Sequence, residues 1–539
     1  MAETVTGMAG FATIRSGWSW FSRHPGFVAA LVILAALAIR FAYIGGKHTY
    51  NRDELVAYMA ATAKQGRFVE GNAQFPSGRW VPNAIWQEFF RVDDPFAFQR
   101  ISTGLARDDV HPPLYFWLLH AAVLAGGVAP TTGPVLNLIL FLAASFLVYR
   151  LAGLTFHRPR DALFAVFLWA FCYAGLKITL LARPYELLGL LGVASTLCLF
   201  IMLLRGITWT AVATYTALLG LGFLAHYYFL FHALGLSVVA FIHFTRRRTM
   251  MPLVVLGLAT VAAIAILLVV FPDIRGQMAA STRNVPPLTA DYALEKILDI
   301  LASPNGMIPL GNVLFLVIPV LLFLLARELW PELARGPASR QSEVTTPIPF
   351  GAYTAVVLTT EWGAISVAYF LGTVPDHAIG ERHLAAAWPL LAIVLVWLFA
   401  RKFRWEGPWL RMIVGLAIAV IVVRAFTVSN KGVQVHAAVQ RYDVVLADFV
   451  DRKYFPNIFL NIPAQTWIFA ARPGQLLATP EPWLEELRGH DRGLYVSWGR
   501  RGSKMQRRKI LEILRREFRV TRIATERFDY FDITSKGEK

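Results

Sequence analysis

The chain has 539 residues, of which 56% are hydrophobic and only 16% are charged, and its mean hydropathy is +0.50. This composition excludes an ordinary soluble globular protein and indicates a polytopic membrane protein. The net charge of +17 reflects the gathering of Lys and Arg in cytoplasmic loops, so no nucleic-acid partner is predicted. The two cysteines, Cys172 and Cys198, lie in apolar runs and predict no disulfide framework.

The first apolar run, residues 27–44, is long enough to cross a bilayer, because about 20 apolar residues span the hydrocarbon core. It lacks a cleavage site of small residues and many apolar runs follow, so we predict a retained span with residues 1–26 in the cytoplasm. The next apolar run, residues 114–124, is too short for a full span. Its aromatic composition favours a helix in the membrane interface.

The basic clusters support this placement of residues 114–124. If that run crossed the membrane, all the later basic clusters would lie outside, against the positive-inside rule. These clusters are Arg158 and Arg160, Arg205, Arg246 to Arg248, and Arg401, Lys402 and Arg404. If residues 114–124 form an interfacial helix instead, all these clusters lie on the cytoplasmic side.

Ten further spans are then predicted, which makes eleven with the first. They are residues 135–154, 162–178, 187–204, 209–225, 230–244, 253–271, 310–326, 350–372, 384–400 and 412–427. The transmembrane domain covers 27–428, and its outer segments are 45–131, 179–186, 226–229, 272–308 and 373–383. The stretch 328–349, rich in Pro, Ser and Thr, reads as a cytoplasmic surface loop.

Residues 429–539 have a different character and predict a small extracytoplasmic α/β domain. Residues 453–460 and 493–498 look like strands, 504–518 have helical spacing, and 520–533 look like a strand pair. This segment has 20 Lys and Arg against 13 Asp and Glu, a net charge of +7. Either an anionic acceptor or plain solvation explains that charge.

Polar residues collect at the outer ends of the predicted spans, which suggests one site at the outer leaflet. They are Asp53 and Glu54; Asp108, Asp109 and His111; Arg183, Tyr185 and Glu186; His226, Tyr227 and Tyr228; and Asp376, His377, Glu381, Arg382 and His383.

Each of these groups also has a structural interpretation. Asn51 to Glu54 fits a capping box, with Asn51 as N-cap and Glu54 at the third helical position. Residues 111–113 are typical of the first turn of a helix, because they contain two prolines. Arg183 and Arg382 are typical of arginines that bind lipid head groups at the ends of spans, and residues 226–228 are typical of an aromatic belt. Glu361, inside the ninth span, needs a partner or a water-filled cavity.

Several motifs occur together in this chain. They are Asp53-Glu54, Asp109-Val110-His111-Pro112-Pro113-Leu114-Tyr115, Ala182-Arg183-Pro184-Tyr185, His226-Tyr227-Tyr228 and Glu381-Arg382-His383-Leu384. In combination they resemble the GT-C membrane glycosyltransferases. The chain resembles in particular the protein O-mannosyltransferase superfamily, which includes the bacterial aminoarabinose and galacturonic-acid transferases of lipopolysaccharide. The resemblance covers about residues 27–400. It implies the GT-C fold for the all-α membrane domain, in which the apolar runs predict about eleven transmembrane helices. The small C-terminal α/β domain carries no motif of this family.

The resemblance also implies a reaction. The donor would be a polyprenyl-phosphate sugar, and the acceptor would be an envelope lipid, glycan or protein. The reaction would take place on the periplasmic side of the inner membrane. Asp53 is the expected base. Glu54 would orient the acceptor or the base, or the two residues would exchange roles. The donor phosphate is expected at Arg183 and Arg382, with His383 and Lys177 behind them. Substrate contacts are expected from Asp108, Asp109, His111, Tyr185, His226 and Tyr227.

Three alternatives stay open at this point. A divalent metal at Asp53, Asp109 or His111 is one, although the spacing fits no defined site. A transporter or flippase of polyprenyl-linked glycans is another, although such folds usually show internal repeats and broken helices, which the sequence does not reveal. A non-catalytic scaffold that presents the C-terminal domain is the third.

Overall fold

The structure is a computed structural model that describes residues 24–69, 72–274, 276–277, 289–302, 348–371, 381–402, 432–498 and 504–536, with a few isolated positions between 419 and 428. The predicted span 310–326, most of the span 412–427 and most of the loop 328–349 lie outside the described residues. Asp376 and His377 also lie outside them.

Helices make up most of the described chain. In chain order they are α1 (Pro25–Gly45), α2 (Arg52–Ala61), α3 (Asn83–Gln87), α4 (Phe98–Asp108), α5 (Leu114–Gly126), α6 (Thr132–Thr155), α7 (Pro159–Phe171), α8 (Tyr173–Thr179), α9 (Tyr185–Arg205) and α10 (Trp209–Ala225). They continue with α11 (Phe229–Arg246), α12 (Met251–Val270), α13 (Ala290–Ala302), α14 (Phe350–Phe370), α15 (Ala387–Lys402), α16 (Phe455–Phe459), α17 (Pro473–Ala478), α18 (Glu481–Arg488) and α19 (Lys504–Glu517).

Five described helices are long and apolar enough to cross a membrane, namely α1, α6, α9, α11 and α12, and α7 with α8 make a sixth if they count as one span. Helices α10 and α15 are shorter apolar helices. Helix α5 has 13 residues, about 20 Å at 1.5 Å per residue, which agrees in length with the predicted interfacial helix. The chain is thus a multi-pass, mainly helical membrane protein, and the number eleven stays a prediction.

The span predicted at 162–178 is not continuous. It breaks at Cys172, where α7 and α8 meet at an angle of 49° and Cys172 has an extended backbone with φ −61° and ψ 137°. A break in a membrane helix frees backbone carbonyls that need new donors. The periodicity of the apolar residues carries no sign of this break.

The chain divides into two compact units. Unit 1 comprises Met1–Gly45, Val110–Tyr115 and Pro134–Ser429, and unit 2 comprises Gly46–Asp109, Phe116–Gly133 and Asn430–Lys539.

Close approaches at glycines set the helix packing in unit 1. A Cβ at Gly235 of α11 would lie 2.8 Å from the carbonyl oxygen of Val357 in α14. A Cβ at Gly192 of α9 would lie 2.9 Å from that of Ala386. Helix α9 therefore packs directly against the residues that follow His383.

Unit 2 contains a six-stranded sheet of β1 (Trp80–Pro82), β2 (Val444–Ala447), β3 (Trp467–Ala470), β4 (Arg492–Ser497), β5 (Phe518–Thr525) and β6 (Asp529–Ser535). The strand order is β1-β3-β2-β4-β6-β5, with β2 parallel to β3 and β4. Strand β1 comes from the first outer segment and pairs antiparallel with β3. The predicted α/β domain is therefore completed by residues from the beginning of the chain.

The secondary structure predicted for this part is largely confirmed. Strand β4, helix α19 and the pair β5–β6 form where predicted. The strand predicted at 453–460 is wrong, because this stretch contains α16 with Pro456 in its first turn, where a proline costs no helical hydrogen bond. Strands β2 and β3 were not predicted, since four apolar residues in a row show no alternation.

Candidate active site

The two adjacent carboxylates lie in the first turn of α2, in unit 2. The Asn51 Oδ1 accepts a hydrogen bond from the Asp53 backbone N–H at 3.2 Å. The Asn51 N–H donates to Glu54 Oε2 at 2.7 Å. This is the predicted capping box, and it is confirmed. It occupies the Glu54 carboxylate and uses Asp53 only through its backbone.

Glu54 is fully buried, and its Oε1 forms an ion pair with the ammonium of Lys47, which is also buried. A buried carboxylate is costly unless it is paired and hydrogen-bonded, and Lys47 and the Asn51 N–H meet that need. Both Glu54 oxygens are thus engaged inside the protein. The geometry favours a structural role for Glu54 over the acceptor contact that the family resemblance implies.

Asp53 differs from its neighbour because 24% of its side chain is exposed. Its Oδ1 lies 3.8 Å from Arg52 Nε and 3.9 Å from Lys453 Nζ. Lys453 belongs to the C-terminal segment of the same unit. An accessible carboxylate of this kind is able to take a proton from a hydroxyl group that reaches it.

Asp108 and Asp109 lie at the end of α4, also in unit 2. The Gln65 amide donates to the Asp108 carbonyl at 3.1 Å and to Asp109 Oδ2 at 3.3 Å. Arg452 donates to the same Asp108 carbonyl at 3.0 Å. The C-terminal segment thus contacts both the end of α4 and, through Lys453, the beginning of α2.

In unit 1, His226 is the centre of an aromatic cluster. Its ring centroid is 5.3 Å from that of His111, 5.9 Å from that of Tyr185 and 4.8 Å from that of Tyr228. The Tyr228 ring lies 5.2 Å from that of His383. The structure therefore brings together predicted residues from four separate parts of the chain.

Arg382 and Tyr227 adjoin this cluster. Arg382 Nε donates to His383 Nε2 at 3.2 Å. The Tyr227 hydroxyl donates to Gln277 Oε1, and Gln277 Nε2 donates to the His111 carbonyl at 3.3 Å. Gln277 is buried and was not predicted, because a single Gln in a polar outer segment gives no signal.

Arg183 lies in the turn between α8 and α9, and its side chain is mostly buried. Asn137 of α6 anchors this turn by donating to the carbonyls of Thr179, at 3.3 Å, and Leu181. The Leu181 carbonyl also accepts from the Arg183 N–H at 2.7 Å. The Tyr115 hydroxyl donates to Asn137 Oδ1 at 3.1 Å and orients the amide.

Lys177 is carried by α8, which packs against the short 3₁₀ helix Glu381–Leu384 that contains Arg382. Its ammonium lies 6.0 Å from the ring of Tyr173. The elements that carry Lys177 and Arg382 are therefore neighbours in unit 1.

Arg40 is a buried cation in α1 that was not predicted. Its Nη1 donates to the Ala170 carbonyl at 2.7 Å, its Nε donates to Thr179 Oγ1 at 3.2 Å, and its guanidinium carbon lies 3.6 Å from the Phe141 ring centroid. Thr179 also donates to Glu186 Oε2 at 2.8 Å. Arg40 thus donates a hydrogen bond to a carbonyl that the helix break leaves without its helical donor. The sequence could have indicated this role, because an arginine inside an apolar run needs a buried partner.

Glu361 has the partner that its burial requires. Its Oε2 lies 2.8 Å from His232 Nδ1, and His232 Nε2 lies 3.2 Å from Thr196 Oγ1. All three side chains are buried. These contacts join α14, α11 and α9, so Glu361 serves the packing of unit 1.

Among the residues described, no three His, Cys, Asp or Glu side chains come together as a metal site requires. The suggested metal at Asp53, Asp109 or His111 thus has no fitting donor set in the described ranges.

Comparison with known proteins gives a likeness in fold. No protein-family model and no curated protein matches the chain. The apo crystal structure of ArnT from Cupriavidus metallidurans matches with a TM-score of 0.50 and 13% identity, over 95% of this chain and 98% of that one. At this identity the likeness concerns the fold, which is the GT-C fold that the motifs predict.

Two further structures match at lower scores. ArnT from Cupriavidus metallidurans bound to undecaprenyl phosphate has a TM-score of 0.48 and 10% identity, over 94% of this chain and 98% of that one. The oligosaccharyltransferase of Archaeoglobus fulgidus in complex with zinc and sulfate has a TM-score of 0.43 and 13% identity, over 87% of this chain and 67% of that one.

Proposed function

We propose that this chain is an inverting glycosyltransferase that moves a sugar from a polyprenyl-phosphate donor to a hydroxyl of an envelope acceptor. The reaction would take place on the outer face of the cytoplasmic membrane. The motif resemblance supplies the donor class and the location, and the fold shared with ArnT supports the resemblance.

The observation that carries the proposal is that the two adjacent carboxylates, Asp53 and Glu54, differ in burial and in their partners. Glu54 is used by the capping box and by Lys47. The Asp53 side chain is partly exposed and lies within 4 Å of two cations, Arg52 and Lys453. Glu54 thus has the structural role in this pair, and we assign the role of base to Asp53, which is partly exposed and lies near two cations.

In the proposed reaction, Asp53 accepts the proton of the acceptor hydroxyl while the hydroxyl oxygen forms a bond to the anomeric carbon. The bond from that carbon to the phosphate oxygen breaks, and its electron pair leaves with the phosphate. One displacement inverts the anomeric centre, so no second carboxylate is needed as a nucleophile.

The departing phosphate gains negative charge that requires stabilisation. Guanidinium groups suit this role because they donate two parallel, charge-assisted hydrogen bonds. We assign it to Arg183 and Arg382, with His383 and Lys177 as further donors. The anchoring of the Arg183 turn by Asn137 and the contact between Arg382 and His383 support the assignment.

Mass spectrometry of envelope glycolipids and glycoproteins tests this proposal, in cells with the chain, without it, and with the Asp53→Asn variant. We expect one glycan modification to disappear in the last two strains together. A flippase or a scaffold predicts that Asp53→Asn restores the modification as the wild type does, and that result would reject an enzymatic role for Asp53.

A further inference from the structure

Unit 2 contains an open cleft of about 580 Å³ whose lining does not include Asp53, Arg183 or Arg382. It lies between the N-cap of α2, the segment that enters the C-terminal domain and the turn between β5 and β6. Its lining residues are Asn51, Arg52, Gly432, Val433, Gln434, Tyr454, Glu526 and Arg527.

The wall of this cleft is held in place by close backbone contacts. The Val433 N–H donates to the Tyr50 carbonyl at 2.9 Å. A Cβ at Gly432 would lie 2.4 Å from Thr49 Oγ1 and 2.7 Å from the Tyr50 carbonyl oxygen, so a larger residue does not fit there. The cleft is therefore a built feature of the unit.

Two guanidiniums converge on one hydroxyl inside the cleft. Arg527 Nη2 donates to Tyr454 Oη at 2.7 Å, and Arg52 interacts with the same hydroxyl. Partial burial acts to raise the pKa of Tyr454, but the two guanidiniums outweigh it and lower that pKa below its ordinary value. The lining thus has two cations and one carboxylate, Glu526, which favours an anionic ligand.

The cleft also lies where α/β sheets commonly bind ligands. Strands β2 and β4 are parallel neighbours, and the chain leaves β2 toward β3 on its other side, so their carboxyl ends form a topological switch point. Tyr454 lies in the segment after β2, and its ring is 4.6 Å from that of Trp498, which follows β4. Because Tyr454 also lines the cleft, the cleft lies at this switch point.

The candidate base lies beside the cleft. Arg52, which lines it, is 3.8 Å from Asp53 through its Nε, and Lys453, adjacent to Tyr454 in sequence, is 3.9 Å from Asp53 through its Nζ. A hydroxyl group held in the cleft is thus near the carboxylate that would take its proton.

We propose that this cleft is the acceptor site and that it binds a saccharide carrying a phosphate or carboxylate group. Arg52 and Arg527 bind the anion, and Gln434 and Glu526 bind sugar hydroxyls. This inference rests on the proposed function, because it is the glycosyltransferase reaction that gives the bound hydroxyl its role.

Binding of defined probes to the full-length protein in detergent tests the inference without any donor. The probes are glucose 6-phosphate, glucuronic acid, glucose and inorganic phosphate. We expect both anionic sugars to bind at least about tenfold more tightly than glucose or phosphate, because charge-assisted hydrogen bonds add to the sugar contacts. Equal binding of glucose and glucose 6-phosphate overturns the proposal, and so does equal binding of inorganic phosphate and glucose 6-phosphate.

Variants identify the residues. Arg527→Gln should weaken glucose 6-phosphate binding about tenfold or more, and Arg519→Gln, at an exposed position of β5 outside the cleft lining, should leave it unchanged. If Arg527→Gln does not fold, Arg527→Lys keeps the charge without the planar fork and should show an intermediate loss. Wild-type affinity in a folded Arg527 variant overturns the assignment.

A parallel measurement separates this inference from the proposed function. The rise in the melting temperature of the protein when undecaprenyl phosphate is added measures binding at the donor site. If undecaprenyl phosphate binds and transfer occurs but anionic sugars do not bind, the cleft assignment is wrong and the glycosyltransferase stands. If anionic sugars bind but no polyprenyl-phosphate sugar is used, the proposed function fails, and the cleft remains a saccharide site without its assigned role.

Discussion

At the scale of single residues, the molecule gives adjacent carboxylates different environments. Glu54 is buried, forms an ion pair with Lys47 and accepts a hydrogen bond from the Asn51 N–H. The Asp53 side chain is partly exposed and lies within 4 Å of Arg52 and Lys453. An α-helix rotates successive side chains by about 100°, and this rotation separates the buried side chain from the accessible one.

The first prediction concerns the buried pair. Glu54→Gln removes the charge that compensates Lys47, so unit 2 should lose about 3–5 kcal/mol of stability, as is typical when one member of a buried ion pair is removed. Thermal unfolding of the purified protein measures this. A double variant, Lys47→Met with Glu54→Gln, should recover part of the loss. A Glu54→Gln protein as stable as the wild type would show that the pair contributes nothing.

The second prediction concerns the phosphate. Arg382→Lys keeps the positive charge but loses the planar fork, so transfer should fall about tenfold or more while the protein still folds. Arg401→Lys, at the end of α15, is the matched control and should retain full activity. Wild-type rates in Arg382→Lys would leave this residue as a head-group anchor.

At the scale of elements, local patterns were predictable and long-range partners were not. The Asn51 to Glu54 spacing predicted the capping box, because all its atoms lie within one turn. The helix break at Cys172 depends on Arg40, 130 residues away from Ala170 in sequence. Glu361 likewise depends on His232, at a separation of 129 residues. The resemblance located the aromatic and basic residues of unit 1, whereas Gln277 appeared only once the segments were packed.

The third prediction tests the close packing of α9. Gly192→Ala adds a Cβ that would lie 2.9 Å from the Ala386 Cβ, so the segment after His383 must shift, and overpacking of this kind costs about 1–3 kcal/mol. We expect a lower melting temperature and a higher KM for the donor. Gly257→Ala in α12 is the control, because nothing lies within 4 Å of its Cβ. Equal effects of the two substitutions would contradict this view of α9.

At the scale of the whole molecule, the first outer segment and the C-terminal segment form one unit. Strand β1 pairs with β3, and Arg452 and Lys453 contact Asp108 and Asp53. Residues as far apart in sequence as Asp108 and Arg452, which are separated by 344 positions, thus share one compact body. This requires both segments to lie on the same side of the membrane.

The fourth prediction follows from that requirement and from the basic clusters. Reporters fused after Gly127 and after Lys539 should read as extracytoplasmic, and a reporter fused after Arg248 should read as cytoplasmic. A phosphatase and a fluorescent-protein fusion at each position provide opposite signals. A cytoplasmic Lys539 would contradict both the eleven-span topology and the proposed location of the site.

The most direct test of the central claim is sugar transfer by the purified full-length protein from synthetic undecaprenyl-phosphate sugars, with a hexose, a uronic acid or an aminopentose, to an envelope extract. Asp53→Asn keeps the size of the side chain and the capping N–H but removes its basicity. Transfer should therefore fall by about 10²-fold or more, while the melting temperature and undecaprenyl phosphate binding persist. The control Asp94→Asn, which alters an exposed pair with Arg100, should remain active. An Asp53→Asn enzyme that keeps more than about half of the wild-type rate would contradict the assignment of Asp53 as the base.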